Sequence, residues 1–143
     1  LILAHRSRNT ILLHQTGSSL HMYTSDSLNL GNLAKDFSDA ERIQNSTVEP
    51  LKNYYSINQK TLYVMDSLDL YPTPKEIDYL LLTQSPKVNL ERVLDSLRPK
   101  MVLADGSNYR SVAKRWEKTC TQKEIPFHYT GEKGFYVFNV EED

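Results

Sequence analysis

Ile77–Lys87, IDYLLLTQSPK, decides the fold. The run Tyr79-Leu80-Leu81-Leu82 is continuously apolar, with no polar alternation. That is how a strand covered on both faces reads. The stretch predicts a central strand over residues 77–83 that runs into a loop at 84–87, with a helix directly after it. Strand-end loops of this kind are where α/β proteins place their chemistry. This loop offers Gln84, Ser85, Pro86 and Lys87, none of them a strong transition-metal ligand.

The elements on either side agree with a layered α/β domain. Residues 61–65 read as a strand that ends at Asp66. Tyr71-Pro72-Thr73-Pro74 breaks the chain, because two prolines remove donors and fix the backbone. After the central strand, Leu90, Val93, Leu94 and Leu97 form one apolar face of a helix over 89–97, with Asn89 as its N-cap. Residues 101–104 are a further strand, ending at Asp105-Gly106. The longest helix is expected over 108–123, with a stripe of Val112, Ala113, Trp116 and Cys120 and with Ser107 as its cap. Two strands, 127–130 and 135–139, close the chain around residues 131–134, and the acidic tail 141–143 frays. Sheet and helix alternate, which favours an α/β architecture.

The first half is less regular. Residues 1–4 read as a strand and 7–10 as a turn. Residues 11–15 and 20–24 flank Gly17-Ser18-Ser19 as a β-hairpin. A polar loop is expected over 26–32. Leu33, Phe37, Ala40 and Ile43 recur at helical spacing, so a short helix is expected over 33–43. Residues 44–50 read as a loop and as the softest internal point of a single domain, 1–143. Residues 51–57 fit helix or strand.

Composition limits the function classes. The 143 residues suit one domain with a real core. The 17 basic and 18 acidic residues give a net charge of −1, which argues against a dedicated high-affinity nucleic-acid binder. Cys120 is the single cysteine, so no internal disulfide forms. No apolar run approaches the roughly 18 residues a membrane span needs. No signal peptide is apparent, and the chain opens on Leu1. It is read as a piece of a longer protein.

Three strands end in polar residues: Asp66; then Thr83, Gln84 and Ser85; then Asp105 and Ser107. If the strands are neighbours and co-directed, these ends share one rim, and two carboxylates there suit a hard cation. Against this stands the plainer role of Asp66 and Asp105 as turn acceptors before Ser67 and Gly106. The four histidines (His5, His14, His21 and His128) show no metal-motif spacing and read as structural, with a cross-strand meeting of His14 and His21 allowed by the hairpin. No G-x-S-x-G elbow occurs, so a serine hydrolase has no support. Cys120 lies on the apolar stripe beside Trp116 and reads as core.

Charge is unevenly spread. Residues 86–133 hold ten basic side chains against six acidic ones, a local excess of four. Arg110, Lys114 and Lys118 recur at i, i+4, i+8 on one helix face opposite Trp116, with Arg115 beside them. Such a stripe meets phosphates or is a solvated helix face. Tyr109 and Tyr129 add stacking surface near it.

TLYVMD (61–66), IDYLLLT (77–83), PKMVLADG (99–106) and FHYTGEKGFYVF (127–138) together resemble the C-terminal end of ComEC-type competence proteins, most of all the short domain of the Bacteroidetes versions. NLERVLDSLRPKMVLADGSNYRSVAKRW and EIPFHYTGEKGFYVF carry most of the resemblance, and HRSRNTILLHQTGSSLHMY extends it loosely into the first half. It implies an inner-membrane protein that carries transforming DNA across the membrane as a single strand. It also implies a metallo-β-lactamase-like αββα sandwich for this domain. In that pattern Asp66 matches the acid after the strand preceding the metal loop, and Thr83 the residue before the H-x-H-x-D-H cluster. Gln84, Ser85, Pro86 and Lys87 stand where the cluster would begin, so the rim is vestigial. A metal without ligands cannot activate water.

The expected fold is therefore a reduced αββα sandwich without the metal cluster, and no cofactor is expected. The expected function is a non-catalytic domain that binds or guides incoming DNA, or braces the channel, on the periplasmic side. Its partners are DNA and the protein's own transmembrane part. The DNA-contacting candidates are Lys87, Asn108, Arg110, Lys114, Arg115 and Lys118; Asp66, Gln84, Ser85 and Asp105 form the vestigial rim. Two alternatives remain open: a divergent phosphodiesterase using Asp66 and Asp105 with Mg²⁺ or Mn²⁺, and a purely structural docking module.

Overall fold

The computed structural model describes residues 1–6, 9–24, 45–57, 59–66 and 77–138. The expected loop at 26–32, helix at 33–43, proline break at 71–74 and tail at 141–143 lie outside the described residues.

Among the described residues, ten strands form two five-stranded sheets. The first has the order β10-β1-β2-β3-β4. It contains β1 (Ile2–Arg6), β2 (Asn9–Thr16), β3 (Ser19–Thr24), β4 (Asn45–Pro50) and β10 (Tyr136–Val137). The second has the order β5-β6-β7-β8-β9. It is built from β5 (Tyr54–Ile57), β6 (Lys60–Met65), β7 (Tyr79–Leu82), β8 (Met101–Ala104) and β9 (Phe127–Tyr129). Helix α1 (Leu90–Leu97) connects β7 to β8, and α2 (Arg110–Gln122) connects β8 to β9. A single helical turn, α3 (Thr130–Lys133), follows β9.

β7 is the central strand of its sheet and is buried along its whole length, as its unbroken apolar run requires. Its side chains alternate between two cores. Leu80 and Leu82 face α1 and α2, where they meet Val93, Leu97, Ala113, Trp116 and Cys120. Tyr79 and Leu81 face the other sheet and pack with Leu3, Leu12 and Phe138. The two sheets therefore lie face to face, with the helices on the outer side of the second. On the far side of the first sheet, Ile11, Leu13, Leu20 and Met22 are also buried.

The hairpin β2–β3 forms as expected, in register from Ile11↔Thr24 to Thr16↔Ser19. Gly17 takes φ +61 at the first turn position, which a two-residue hairpin loop demands. His14 and His21 are direct cross-strand partners. Burial and the neighbouring charges of the N-terminus and His21 hold the His14 imidazole below its usual range.

One expectation needs correction, and two open points are settled. Residues 45–50 are not a loop: they form β4, which pairs in parallel with β3 from Ser19↔Asn45 to Thr24↔Pro50. The segment has no apolar alternation because it is an edge strand with an exposed outer side, so its pairing left no pattern to read. The ambiguous residues 51–57 resolve as the passage between sheets, followed by β5. The two closing strands do not pair with each other. β9 joins β8 in the second sheet, α3 turns the chain, and β10 pairs with β1 in the first.

Candidate functional site

β6, β7 and β8 run parallel, in register from Leu62↔Tyr79 and Tyr79↔Met101. Their C-terminal ends therefore share one rim, and this rim brings Asp66, Gln84, Ser85, Asp105, Ser107 and Asn108 close together. In α/β sheets that edge is where ligands settle.

The loop after β7 is held in a costly conformation. Gln84 and Ser85 take φ of 58 and 47, both left-handed and neither a glycine. Such residues cost about 1–3 kcal/mol each and persist only where their surroundings over-determine them. Here the segment after β8 does so. Gln84 N donates to Ser107 Oγ at 2.8 Å. Ser85 N donates to Asn108 Oδ1 at 2.7 Å. Tyr109 N donates back to Ser85 Oγ at 2.9 Å. Asn108 Nδ2 donates to Leu82 O at 2.7 Å and to Asp105 O at 3.2 Å. One strand end thus clamps the next.

Ser107 and Asn108 spend their side chains on this clamp. The expected cap is accordingly corrected: Ser107 does not cap α2, whose N-cap position is taken by Tyr109 without a side-chain hydrogen bond. Asn89, by contrast, caps α1 as expected, accepting from Arg92 N at 3.2 Å.

Asp105 anchors the clamp from behind and is fully buried. Its Oδ1 accepts from Ser107 N at 3.1 Å and from Ser107 Oγ at 2.5 Å. Its Oδ2 is buried with no hydrogen-bond partner among the described residues. Burial pushes the carboxyl above the usual carboxylate range, and hydrogen bonds from Ser107 offset part of that push. Thr10 arrives from the other sheet and donates to Ser107 Oγ at 3.3 Å.

Two depressions open on the rim, with Gln84 in the wall of both. One, of about 220 Å³, is lined by Gln84, Gly106, Ser107, Asn108 and Tyr109. The other, of about 240 Å³, is lined by Thr24, Pro50, Leu51, Lys52, Asn53, Asp66 and Gln84. A larger hollow of about 460 Å³ lies at the opposite end of the strands, around Leu94, Arg98, Pro99 and Ile125. Its lysine, Lys123, is already paired with Asp95 at 2.8 Å and Glu91 at 3.9 Å.

The described rim residues do not fit a catalytic metal. Among the described residues no three His, Cys, Asp or Glu side chains converge where an ion could sit. Asp66 lines one depression, whereas Asp105 lies sealed behind the other with Oδ1 committed to Ser107. The two acids therefore do not form a shared cation-binding wall.

Of the candidate contact residues, Lys87, Arg110, Lys114, Arg115 and Lys118 are exposed. Asn108 is 6% exposed and its amide is committed within the clamp. Cys120 is fully buried beside Trp116, and burial pushes its thiol up to about 12. Sequence reasoning did not place Thr10, Thr24, Lys52 or Asn53 near the rim. They come from other parts of the chain, and nothing local in the sequence marks them.

A two-sheet α/β domain with an oxygen- and amide-lined rim, and with no metal ligand set among the described residues, is thus the class that fold and site define. The chain belongs to the ComEC C-terminal domain family, whose model matches residues 1–140. ComEC proteins are DNA-uptake membrane proteins of competence. No curated protein and no solved structure matches the chain. Among the described residues no helix is long and apolar enough to cross a membrane.

Proposed function

We propose that this domain is a non-catalytic part of a ComEC-type protein that meets the phosphates of incoming DNA along the outward face of α2. One observation carries the reading. Arg110, Lys114, Arg115 and Lys118 are all exposed on one helix, and none has an acidic partner among the described residues. Two lysines outside this face are neutralised by contrast: Lys100 pairs with Asp78 at 3.2 Å, and Lys123 with Asp95 and Glu91. Unpaired cations at helical spacing match the spaced negative charge of a nucleic-acid backbone. Lys87 adds a charge on the loop that Ser85 ties to Tyr109. In this reading Asn108 braces the rim rather than touching DNA.

The same proposal takes the domain as one unit with a reduced αββα, metallo-β-lactamase-like architecture. Two face-to-face sheets with helices outside one of them support this. So does the pairing of β1 with β10, which brings the two ends of the described chain into one core. We place the domain on the periplasmic side of the inner membrane, beside the protein's own transmembrane part, because a surface that receives incoming DNA belongs there. The resemblance of residues 89–116 and 124–138 to the Bacteroidetes versions supports an origin in that group.

The test is fluorescence anisotropy of labelled single-stranded DNA against the chain across a salt titration, with EDTA present. Three or four phosphate contacts predict a log K against log salt slope of roughly −2 to −3. The triple variant Arg110→Glu, Lys114→Glu, Lys118→Glu is expected to lose most of that slope and at least tenfold in low-salt affinity. Equal affinity and slope in parent and variant refute the stripe. No binding by the parent at low salt favours a docking module instead.

A further inference from the structure

We propose that Tyr109 and the depression beside it form a base-binding subsite for single-stranded DNA, so that the rim holds nucleobases while α2 holds phosphates; this rests on the reading of α2 given above. Tyr109 has the phase of the buried stripe, four residues before Ala113 and seven before Trp116. A stripe residue of this size belongs in the core. Tyr109 instead stands 69% exposed, because the helix begins one residue later and Tyr109 itself is extended at φ −65, ψ 139.

Its position brings no local benefit. Tyr109 occupies the N-cap of α2 and makes no side-chain cap bond. Serine, threonine, aspartate or asparagine there typically stabilises a helix by about 1 kcal/mol. The backbone beneath the ring is nonetheless fixed from both sides. Tyr109 N donates to Ser85 Oγ at 2.9 Å, and Tyr109 O accepts from Ala113 N at 3.0 Å. An aromatic side chain has few rotors, so an exposed ring on a pinned backbone contributes contact area with little ordering cost.

The surroundings select the ligand. The ring borders the hollow of about 220 Å³ lined by Gln84, Gly106, Ser107 and Asn108, which is polar and large enough for a planar heterocycle. The next residue, Arg110, begins the unpaired cationic face that continues through Lys114 and Lys118. An exposed aromatic beside a polar hollow at the head of a cationic track is the arrangement that binds single strands without sequence preference: bases stack and phosphates follow the charge. In a duplex the base faces are already stacked on one another, so the ring discriminates in favour of single strands.

The experiment compares an oligothymidylate with an abasic oligomer of the same length and phosphate count, bound to the 143-residue chain at low salt. Stacking on one aromatic predicts that the thymidylate binds about fivefold or more tightly than the abasic strand. Tyr109→Ala is expected to abolish that preference while leaving the salt slope unchanged, and Tyr109→Phe to retain it. Equal binding of the two oligomers by the parent overturns the subsite. So does a preference that survives Tyr109→Ala. Failure of the parent to bind either oligomer overturns the phosphate reading of α2 together with the subsite built on it. Far-UV circular dichroism of Tyr109→Ala confirms that the comparison is between folded proteins; should it not fold, Tyr109→Gln replaces it, and a preference that survives that change overturns the subsite.

Discussion

Asn108→Ala is the sharpest test of the clamp at the rim. The Asn108 amide fills two places at once. Its Nδ2 donates to the Leu82 carbonyl at 2.7 Å, and its Oδ1 accepts from Ser85 N at 2.7 Å. Alanine removes both and leaves a carbonyl at the end of a buried strand and an N–H in a left-handed loop without partners. An orphaned buried polar group costs about 1–3 kcal/mol. Leu82 is fully buried, so its carbonyl falls within that range. Ser85 is only partly buried, so water replaces some of the loss and its N–H falls near the lower limit. The expected destabilisation is about 2–4 kcal/mol, read from the urea midpoint with an unchanged m-value. At this chain length that corresponds to a fall in Tm of very roughly 6–12 °C. Asn108→Asp separates hydrogen bonding from volume. It keeps the acceptor for Ser85 but turns an oxygen toward Leu82 O and Asp105 O, so it is expected to destabilise more than alanine at neutral pH. A loss below about 1 kcal/mol for Asn108→Ala would refute the clamp, because exposed polar substitutions cost that little.

Two further outcomes follow from burial. Asp105 has a carboxyl raised above its ordinary value of 3.8 by desolvation, so its stabilising contribution is complete below about pH 4 and is lost as pH rises through the folded value. Asp105→Asn keeps an oxygen for Ser107 and removes the charge. It is expected to gain on the parent in urea midpoint as pH rises from 4 to 8; a difference that does not change across that range contradicts the assignment. Cys120 is fully buried with its thiol pushed up to about 12, so it is expected to resist alkylation in the native chain and to label fully in urea. Stoichiometric labelling within minutes under native conditions places the thiol outside the core.

The sequence by itself determined the middle strands of the second sheet, β6 to β8, and its helices. The apolar run Tyr79–Leu82 required cover on both faces, and the sheet supplies it with helices on one side and a second sheet on the other. The spacing of Leu90, Val93, Leu94 and Leu97 defined α1, and Asn89 its cap. Those features are local: burial periodicity and side-chain-to-backbone bonds act within a few residues, so the sequence records them. The helix between β7 and β8 allowed those two strands to run parallel, since parallel strands need crossovers, but the co-direction of β6, β7 and β8, from which the rim follows, stayed a condition until the pairing was seen.

Tertiary structure alone decided the rest. Nothing in residues 45–50 announces a strand, because an edge strand takes its partner from another part of the chain. The separation of β9 from β10 into different sheets depends on α3 and on the pairing of Leu3 with Tyr136, residues at opposite ends of the chain. Ser107 has the chemistry of a helix cap, and the sequence offers it as one. The fold brings Gln84 N within 2.8 Å, and that bond takes the hydroxyl away from α2. Tyr109 then holds the position Ser107 does not fill, with its ring outside the core. Local patterns select elements because a side chain reaches only its neighbours; which elements meet, and which polar groups they leave over at the rim, is settled by contacts that no stretch of sequence contains.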